Sequence, residues 1–285
     1  MKFALYSRFQ TMIAEVGVEE TARFAIAHGL RGVEFYCDAV CDVSAIPTVE
    51  AAKETRRVLD AYGLPMVCVS TAYDAVLRPD AVGTMQKYLE IAAALGSPFM
   101  HHTLLISPDK NDTPDDVLRK VDIAADKAVA IAHAAKELGL TCIYEDQGRY
   151  VNGIARFGRF FDNVKSQAEN VGVCADLGNI LYADEAPEAF LSAFRADIKH
   201  VHVKDYLHKT GINPGMYWKP TQGGAYLRNT MVGHGIVNFA ACMDVLKEIG
   251  YDGYFALELD HPEPFEDGIA QAISYLTPFY EETKA

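Results

Sequence analysis

The sequence predicts a closed (β/α)8 barrel, and three features of its pattern support that prediction. Eight short runs rich in β-branched and aromatic residues alternate with longer segments of helical spacing along 285 residues. Five helical segments end in a glycine immediately before the next strand. No Gly/Pro/Ser-rich linker or charge run divides the chain, so we expect one domain over residues 1–285. An open sheet is the alternative, because periodicity counts strands without closing them.

The predicted elements are read from the period of the apolar residues. The strands are FALYS (3–7), GVEFY (32–36), MVCVST (66–71), FMHHTLL (99–105), TCIYED (141–146), VGVCADL (171–177), IKHVHVKD (198–205) and YFALELD (254–260). Helical spacing is clearest over residues 18–30 and over the alanine-rich segment 114–140. The endings AHGL, AYGL, ALGS, ELGL and EIGY each place a glycine where a helix C-cap needs positive φ.

The charge balance and the turn after the first strand exclude two classes of partner. The chain has 26 Lys plus Arg against 39 Asp plus Glu, a formal net charge of -13. An acidic surface repels phosphate backbones, so no nucleic acid partner is expected. The first strand is followed by YSRFQTM and not by G-x-G-x-x-G, so a dinucleotide-binding fold loses its main support.

Cysteine usage and hydropathy indicate a cytoplasmic protein. The six cysteines are scattered without a C-x-x-C pair, which predicts reduced core residues in place of disulfides or zinc ligands. The N-terminal MKFALYSRFQ lacks the apolar run and cleavage site of a signal peptide. No segment has about 18 consecutive apolar residues, so no membrane partner is expected.

One connection is much longer than the others. About thirty residues, roughly 206–235, separate the seventh predicted strand from the helix that begins near Val237, and they include the only tryptophan, Trp218. Loops this long in a compact domain are usually functional or disordered. The glycine and aromatic content favours a lid or a binding loop.

Carboxylate or imidazole side chains lie in the carboxyl-terminal half of four successive predicted strands. They are Glu145 in IYEDQG, Asp176 in CADLGN, His202 in HVHVKD and Glu258 in ALELD. In a barrel the carboxyl ends of the strands form one face, so these four side chains should converge. Carboxylate and imidazole ligands without cysteine suit Mn²⁺, Mg²⁺ or Co²⁺ more than structural zinc, and they leave room for two substrate oxygens. Taken singly, each acid has the alternative role of a helix N-cap or an ion-pair partner.

The motifs YED, CADLGN, HVHVKD, VGHGIVNF and LELD, with the earlier GVEFY, resemble the sugar phosphate isomerase/epimerase superfamily, whose barrel is xylose isomerase-like. Its members include ketose 3-epimerases, hydroxypyruvate isomerase, inosose dehydratase and type IV apurinic endonucleases. The resemblance implies that Glu145, Asp176, His202 and Glu258 bind a divalent metal, most often Mn²⁺, with Co²⁺, Mg²⁺ or Zn²⁺ as alternatives. It selects His202 over His200 from the H-x-K-D motif, and it implies a homodimer or homotetramer.

The resemblance implies an isomerase or epimerase of sugars or sugar phosphates that works through an enediolate. Glu145 and Glu258 would double as the proton-transfer groups. A metal-dependent lyase or dehydratase of the same superfamily is the alternative, and a non-catalytic sugar-binding barrel is a further one. The endonuclease branch is disfavoured, because its Asp-x-His is absent from YLRNTMVGHG. Asn179 stands where many members have the histidine of Asp-x-Gly-His, so subfamily assignments that rely on that histidine do not apply.

Four further residues are expected to contact the substrate. Asn179 can hydrogen-bond a hydroxyl, and Lys204 shares the inward parity of His202 and could hold a substrate oxygen or phosphate. The alternative for Lys204 is an ion pair with Asp205 or a neighbouring strand. His101 should face inward, either toward the substrate or as a buried hydrogen-bonded histidine. Trp218 could cover an apolar substrate face or merely fix the long loop.

Three more residues are expected to support the site. Glu34 in GVEFY is predicted as a partner beneath the site or at the barrel floor. His200 faces inward, and packing is the role we expect of it. Asp205 should orient its neighbours and take no part in the chemistry.

Overall fold

Eight parallel strands close into a barrel in the computed structural model, which describes residues 1–104, 109, 111–148 and 150–281. The barrel strands are β1 Lys2–Leu5, β2 Gly32–Asp38, β3 Met66–Ala72, β4 Phe99–His102, β5 Thr141–Tyr144, β6 Val171–Asp176, β7 Ile198–Val203 and β11 Tyr254–Leu257. Each lies within or overlaps one predicted strand, and their order around the barrel is β1-β11-β7-β6-β5-β4-β3-β2. The predicted (β/α)8 fold is therefore confirmed, and the open sheet is excluded.

Helices surround the barrel on its outer side. They are α1 Phe9–Ala27, α2 Val49–Ala61, α3 Ala81–Ala94, α4 Pro114–Glu137, α5 Ile154–Lys165, α6 Pro187–Phe194, α7 Phe239–Glu248 and α8 Phe265–Glu281, with a 3-10 turn at Asn179–Ala183. The first helix begins at Phe9, earlier than the predicted segment 18–30, and it bends at Gly17, whose φ is 84°. Thr113 and Asp116 form a capping box that starts α4 at Pro114, where the predicted segment 114–140 begins.

The glycines that end five of the predicted helical segments have the positive φ angles that the sequence predicts. The glycines of the five motifs have φ angles between 65° and 78°. Each allows its helix to stop in a left-handed turn that leads directly into a barrel strand. This repeated ending sets the short connections at the base of the barrel.

The strand register places inward-facing residues of neighbouring strands at the same height along the barrel axis. His202 pairs with Asp176 on β6 and with Ala256 on β11. Ser70 pairs with His101 on β4. A small apolar cluster fills the interior, composed of Ala4, Val67, Cys68, Ile143, Cys174 and Ala256. Because several of these side chains are small, the interior has space for the larger polar side chains next to them.

The long connection is a small sheet and not an irregular loop. Strands β8 Asp205–Lys209, β9 Lys219–Pro220 and β10 Tyr226–Thr230 pair antiparallel in the order β8-β10-β9. The carboxylate of Asp205 accepts hydrogen bonds from the backbone N–H groups of Tyr206, Gly233, Gly235 and Val237. Asp205 thus joins the two ends of the segment, as its predicted orienting role requires.

Two expectations from composition can be compared with the structure. None of the described helices is long and apolar enough to span a membrane. All six cysteines are free, and five are buried as expected. Cys41 is exposed, contrary to the expectation that all are core residues, because it lies in the connection after β2 and not in a strand.

Candidate active site

The four predicted ligand residues meet at the carboxyl end of the barrel. Glu145 directly follows β5, Asp176 ends β6, His202 lies in β7 and Glu258 directly follows β11. One nitrogen or oxygen atom from each lies within 4.8 Å of those of the other three. His202 Nδ1 is 3.1 Å from Glu145 Oε1 and 3.7 Å from Glu258 Oε2. Glu258 has the most exposed side chain of the four, at 18%, so the cluster opens on its side.

The backbone after β6 fixes the carboxylate of Asp176. Its Oδ1 accepts hydrogen bonds from the N–H groups of Gly178 at 2.7 Å and Asn179 at 2.6 Å. Its Oδ2 has no hydrogen-bond partner of good geometry among the described residues, although Lys204 Nζ lies 3.0 Å away. Burial raises the pKa of Asp176 to about 6, against the opposing charge of Lys204. One oxygen is therefore held and the other is directed at the cluster.

Lys204 lies inside the cluster. Its Nζ is 2.7 Å from Glu258 Oε1 and donates to Asn179 Oδ1 at 3.1 Å. The ion pair proposed for it thus forms with Asp176 and Glu258, not with Asp205, whose carboxylate binds backbone groups. Burial acts to lower the pKa of Lys204, but Asp176 and Glu258 outweigh it and raise that pKa well above its usual range. Burial raises the pKa of Glu258, and the Lys204 ammonium opposes this shift.

His202 is held from below by Glu34. Its Nε2 lies 3.1 Å from Glu34 Oε1, and its ring stacks on Tyr6 at 4.9 Å between centroids. His200 Nε2 lies 2.7 Å from the second oxygen, Glu34 Oε2. Burial favours a raised pKa for Glu34, but His202 and His200 outweigh it and hold that pKa well below its usual range. His200 is therefore a hydrogen-bonding partner in addition to the packing residue that we expected.

His101 reaches the cluster from β4. Its Nδ1 lies 3.1 Å from Ser70 Oγ, and its Nε2 lies 3.6 Å from Glu145 Oε2. Burial, assisted by the charge of His202, lowers the pKa of His101 to about 3, so its ring is neutral. The next residue, His102, contacts Tyr73 and Tyr144 with its ring. The predicted inward direction of His101 is consistent with this contact to Glu145.

The donor set fits a divalent cation. Three carboxylates and one imidazole meet here, and buried Asp176 Oδ2 lacks a good hydrogen bond. Oxygen-rich sites with one imidazole suit Mn²⁺, Mg²⁺ and similar ions. A second group, Glu34, His200 and His202, has atoms equally close together. Its members are already joined by direct hydrogen bonds of 2.7 and 3.1 Å, so their nitrogen and oxygen atoms are used in contacts with one another.

A family comparison agrees with the barrel fold. The family model described as the xylose isomerase-like TIM barrel matches residues 22–279. The chain belongs to this family. It is 27% identical over 154 residues to an inosose dehydratase of Bacillus cereus (strain AH820), an alignment that covers 51% of this chain and 50% of that protein. The chain therefore spans about half the length of the curated relatives that it matches.

Two solved structures are similar to this chain over nearly its whole length. A D-psicose 3-epimerase from Clostridium cellulolyticum H10, solved with D-tagatose, has a TM-score of 0.73 and 15% identity and covers 99% of this chain and 100% of its own. A xylose isomerase-like protein from Mycobacterium smegmatis, solved with magnesium, has a TM-score of 0.69 and 17% identity, with 95% and 90% covered. At these identities the likeness shows the fold.

In this xylose isomerase-like barrel a cavity of about 960 Å³ adjoins the cluster. Its described lining residues are Asp112, Pro114, Val117, Leu118, Gln147, Gly148, Arg156, Asn179, Tyr182, Lys204, Tyr206, Lys219, Pro220, Thr221, Gln222, Asn229, Glu258 and Asp260. Asn179 and Lys204 therefore lie between the cluster and the open space, and their role as substrate contacts stays a prediction. From this part of the chain the cavity is lined by residues 219–222, in β9 and the turn after it, and Trp218 is not among the lining residues. Its substrate role stays a prediction.

Several residues at the site escaped sequence reasoning. Ser70 gave no signal, since it follows the apolar run of β3 and its partner Glu34 is distant in sequence. Tyr6 shares the inward parity of Ala4 and could have been found by that alternation. Tyr182 and Tyr206 contact each other at 5.3 Å between centroids and line the cavity. The aromatic content of the long connection indicated a residue such as Tyr206 without identifying it, whereas Tyr182 lies outside that connection, in the 3-10 turn after β6.

Proposed function

We propose that this chain is a divalent-metal-dependent isomerase or epimerase that removes a proton next to the carbonyl of a sugar or sugar phosphate. The observation that supports this most is the position of two glutamates around one histidine. Glu145 and Glu258 come from strands on either side of β7, and both approach His202 Nδ1. Two carboxylates at one site suit proton removal on one side of a carbon and proton return on the other.

The metal would be held by Glu145, Asp176, His202 through Nδ1, and Glu258, with Mn²⁺ as the ion that we expect. When bound, such an ion supplies Lewis acidity that stabilises negative charge on the substrate oxygens. A magnesium complex of a structural relative supports a metal in barrels of this type.

The chain's own groups perform the proton transfers in this proposal. Glu145 takes the proton from the carbon beside the carbonyl, and the C–H electron pair forms the C=C bond of an enediolate while the carbonyl oxygen becomes anionic. Glu258 delivers a proton to the opposite face of the same carbon, which gives the epimer. Delivery to the former carbonyl carbon, with a hydroxyl proton lost from its neighbour, gives the aldose–ketose isomer.

Substrate hydroxyls are positioned by the residues between the cluster and the cavity. Lys204 is buried and contacts Glu258 and Asn179, so its ammonium can hold a substrate oxygen beside the proton donor. The Nδ2 group of Asn179 is buried without a hydrogen-bond partner among the described residues. An unsatisfied donor at a cavity wall is suited to a substrate hydroxyl.

A second reaction is favoured by the curated relatives, which are named inosose dehydratase. The first step is the same proton removal by a glutamate. The enediolate then expels a hydroxyl from the next carbon as water, with a proton supplied by the second glutamate. Epimerisation and dehydration thus differ only in the fate of the enediolate, and the product decides between them. A sugar-binding barrel without catalysis would need neither glutamate as an acid or base.

The test is solvent deuterium incorporation. The wild-type protein is incubated in D2O with Mn²⁺ and a panel of ketoses, ketose phosphates and inososes, and after EDTA quenching each sugar is analysed by mass spectrometry and NMR. We expect one deuteron at the carbon beside the carbonyl, with an epimer, an isomer or an unsaturated product identifying the reaction. Glu145→Gln and Glu258→Gln should lose about 10²–10⁴-fold in the rate of exchange. The exposed Glu15→Gln serves as the matched control.

The result that sinks the proposal is equally concrete. If the purified protein binds no divalent metal and Glu258→Gln keeps full activity on every sugar turned over, the assignment of the glutamates is wrong. If the wild type binds a sugar but exchanges no deuterium into any of the panel, the non-catalytic barrel is favoured.

A further inference from the structure

We infer that Glu34 is a positioning residue whose carboxylate sets the ring orientation of two imidazoles, His202 directly and His101 through Ser70. Each ring then presents a nitrogen without a hydrogen to the site when the metal is bound. The inference rests on the metal role proposed above for His202. It concerns a residue at the centre of the barrel that lies outside the four-residue cluster.

The direct contact runs from Glu34 to His202. Glu34 lies on β2 and is fully buried, and its Oε1 is 3.1 Å from His202 Nε2. An ionised carboxylate only accepts hydrogen bonds, so Nε2 must carry the hydrogen. The other nitrogen, Nδ1, is then the one that faces Glu145 and Glu258 and is available as a metal ligand. Carboxylate–histidine pairs of this kind orient metal ligands and fix their tautomer.

The indirect contact runs through Ser70. The hydroxyl of Ser70 donates its hydrogen to Glu34 Oε1. Because that hydrogen is used, Ser70 Oγ can only accept from His101 Nδ1, which lies 3.1 Å away. His101 Nε2 is then a bare acceptor, and it has no hydrogen-bond partner among the described residues. It lies 3.6 Å from Glu145 Oε2, where a substrate hydroxyl could donate to it.

These contacts form a closed ring of side chains across five strands. The ring runs from Glu34 through Ser70, His101, Glu145 and His202 back to Glu34. Its contacts on the Glu34 side are hydrogen bonds, whereas on the Glu145 side the carboxylate faces the two ring nitrogens that carry no hydrogen when the metal is bound. Outside it, His200 Nε2 lies 2.7 Å from the remaining oxygen of Glu34. The carboxylate of Glu34 therefore faces three donors on two strands, Ser70 on β3 and both His200 and His202 on β7. A polar group satisfied from every side is rigid, and its rigidity is passed to the rings that it holds.

The experiment replaces the acceptor and then measures metal binding and ring tautomers. Glu34→Gln keeps the size but puts an NH2 group where an oxygen accepted, so at least one of the three donors must lose its partner. We expect the Mn²⁺ dissociation constant, measured by calorimetry, to rise about 10–100-fold. Histidine ring ¹⁵N NMR of the Zn²⁺-loaded wild type should show His202 with its hydrogen on Nε2 and His101 with its hydrogen on Nδ1.

Ser70→Ala is the matched variant, since it breaks only the indirect contact. It should leave the Mn²⁺ dissociation constant within about twofold, because the metal ligands keep their partners. The ring signal of His101 should change to the tautomer with hydrogen on Nε2, where Glu145 Oε2 is the nearest acceptor. A merely structural role for Glu34 would lower stability in both variants without this division between metal affinity and tautomer.

Each outcome decides the inference. It is overturned if Glu34→Gln folds, binds Mn²⁺ as the wild type does and keeps both tautomers. If Glu34→Gln fails to fold, an unchanged His101 tautomer in Ser70→Ala overturns it, and the expected change supports it. If the wild type binds no metal at all, the proposed function fails, whereas the His101 tautomer of the metal-free wild type and of Ser70→Ala still tests the contact through Ser70.

Discussion

Replacing Lys204 by methionine should destabilise the metal-free protein strongly. Its side chain is 5% exposed, and its ammonium lies 2.7 Å from Glu258 and 3.0 Å from Asp176. Without it, two carboxylates remain beside each other with no cation between them. Removing one partner of a buried ion pair costs about 3–5 kcal/mol. Because the Glu258 side chain is 18% exposed to water, we expect the lower end, about 3 kcal/mol of the free energy of unfolding.

The assay is thermal unfolding of the Lys204→Met variant, first in EDTA and then with saturating Mn²⁺. About 3 kcal/mol corresponds to a fall in Tm of about 6–12 °C for a chain of this size. With Mn²⁺ the difference from wild type should shrink to less than about half, because ligand binding to the folded state adds stability and the ion supplies the missing positive charge.

The control for this prediction is Lys209→Met, which removes an exposed lysine from β8. Its Tm should stay within about 1–2 °C of wild type, as for most surface substitutions. The reasoning is refuted if Lys204→Met melts with the wild type in EDTA. It is also refuted if the loss in Tm is the same with and without Mn²⁺.

Three further predictions follow from single contacts. Asp205→Asn keeps one side-chain oxygen, so two of the four backbone N–H groups that the carboxylate binds lose their acceptor. Limited proteolysis should then cut within residues 206–235 faster, and an unchanged rate would contradict the anchoring role. Burial raises the pKa of Asp176 to about 6, so between about pH 4 and 6 its carboxyl holds a proton in the folded state that it releases on unfolding. Urea unfolding in EDTA should therefore show the free energy of unfolding falling as the pH rises from about 4 to 6. The same dependence on pH in Asp176→Asn would disprove this cause. Exposed Cys41, whose pKa is raised by Asp38, should be the single thiol titrated by a disulfide reagent in the native protein, and slowly; two or more reacting thiols would contradict the burial of the others.

The barrel was predictable from sequence because its signals are local. A strand of four to seven residues followed by a helix with a glycine ending can be read one unit at a time. Eight such units favour a closed barrel, but the count alone leaves an open sheet as the alternative, and only the pairing of β1 with β11 closes the barrel. The sheet formed by β8, β10 and β9 was not predicted, since Tyr206 pairs with Asn229 across 23 residues. Such pairing depends on which distant segments meet, and a loop rich in glycine and aromatic residues carries no clear period of two.

The site was predictable where a residue's position on its strand decides its direction. The four residues of the cluster lie at or near the carboxyl ends of their strands and face inward, so a parallel barrel brings them together. They are Glu145, Asp176, His202 and Glu258. Ser70 could not be predicted in this way. Its role depends on Glu34, which is 36 positions away, and a serine among buried strand residues usually signals only a tolerated small side chain. The homodimer or homotetramer and the cytoplasmic location stay predictions.

The central claim is that one divalent ion binds between Glu145, Asp176, His202 and Glu258. The most direct measurement is an anomalous difference map from a crystal grown with Mn²⁺ and recorded near the manganese absorption edge. The account predicts one strong peak in contact with His202 Nδ1 and with an oxygen of each carboxylate, at about 2.0–2.3 Å. A fully occupied Mn²⁺ elsewhere in the molecule, or no peak at this cluster at saturating Mn²⁺, would contradict it.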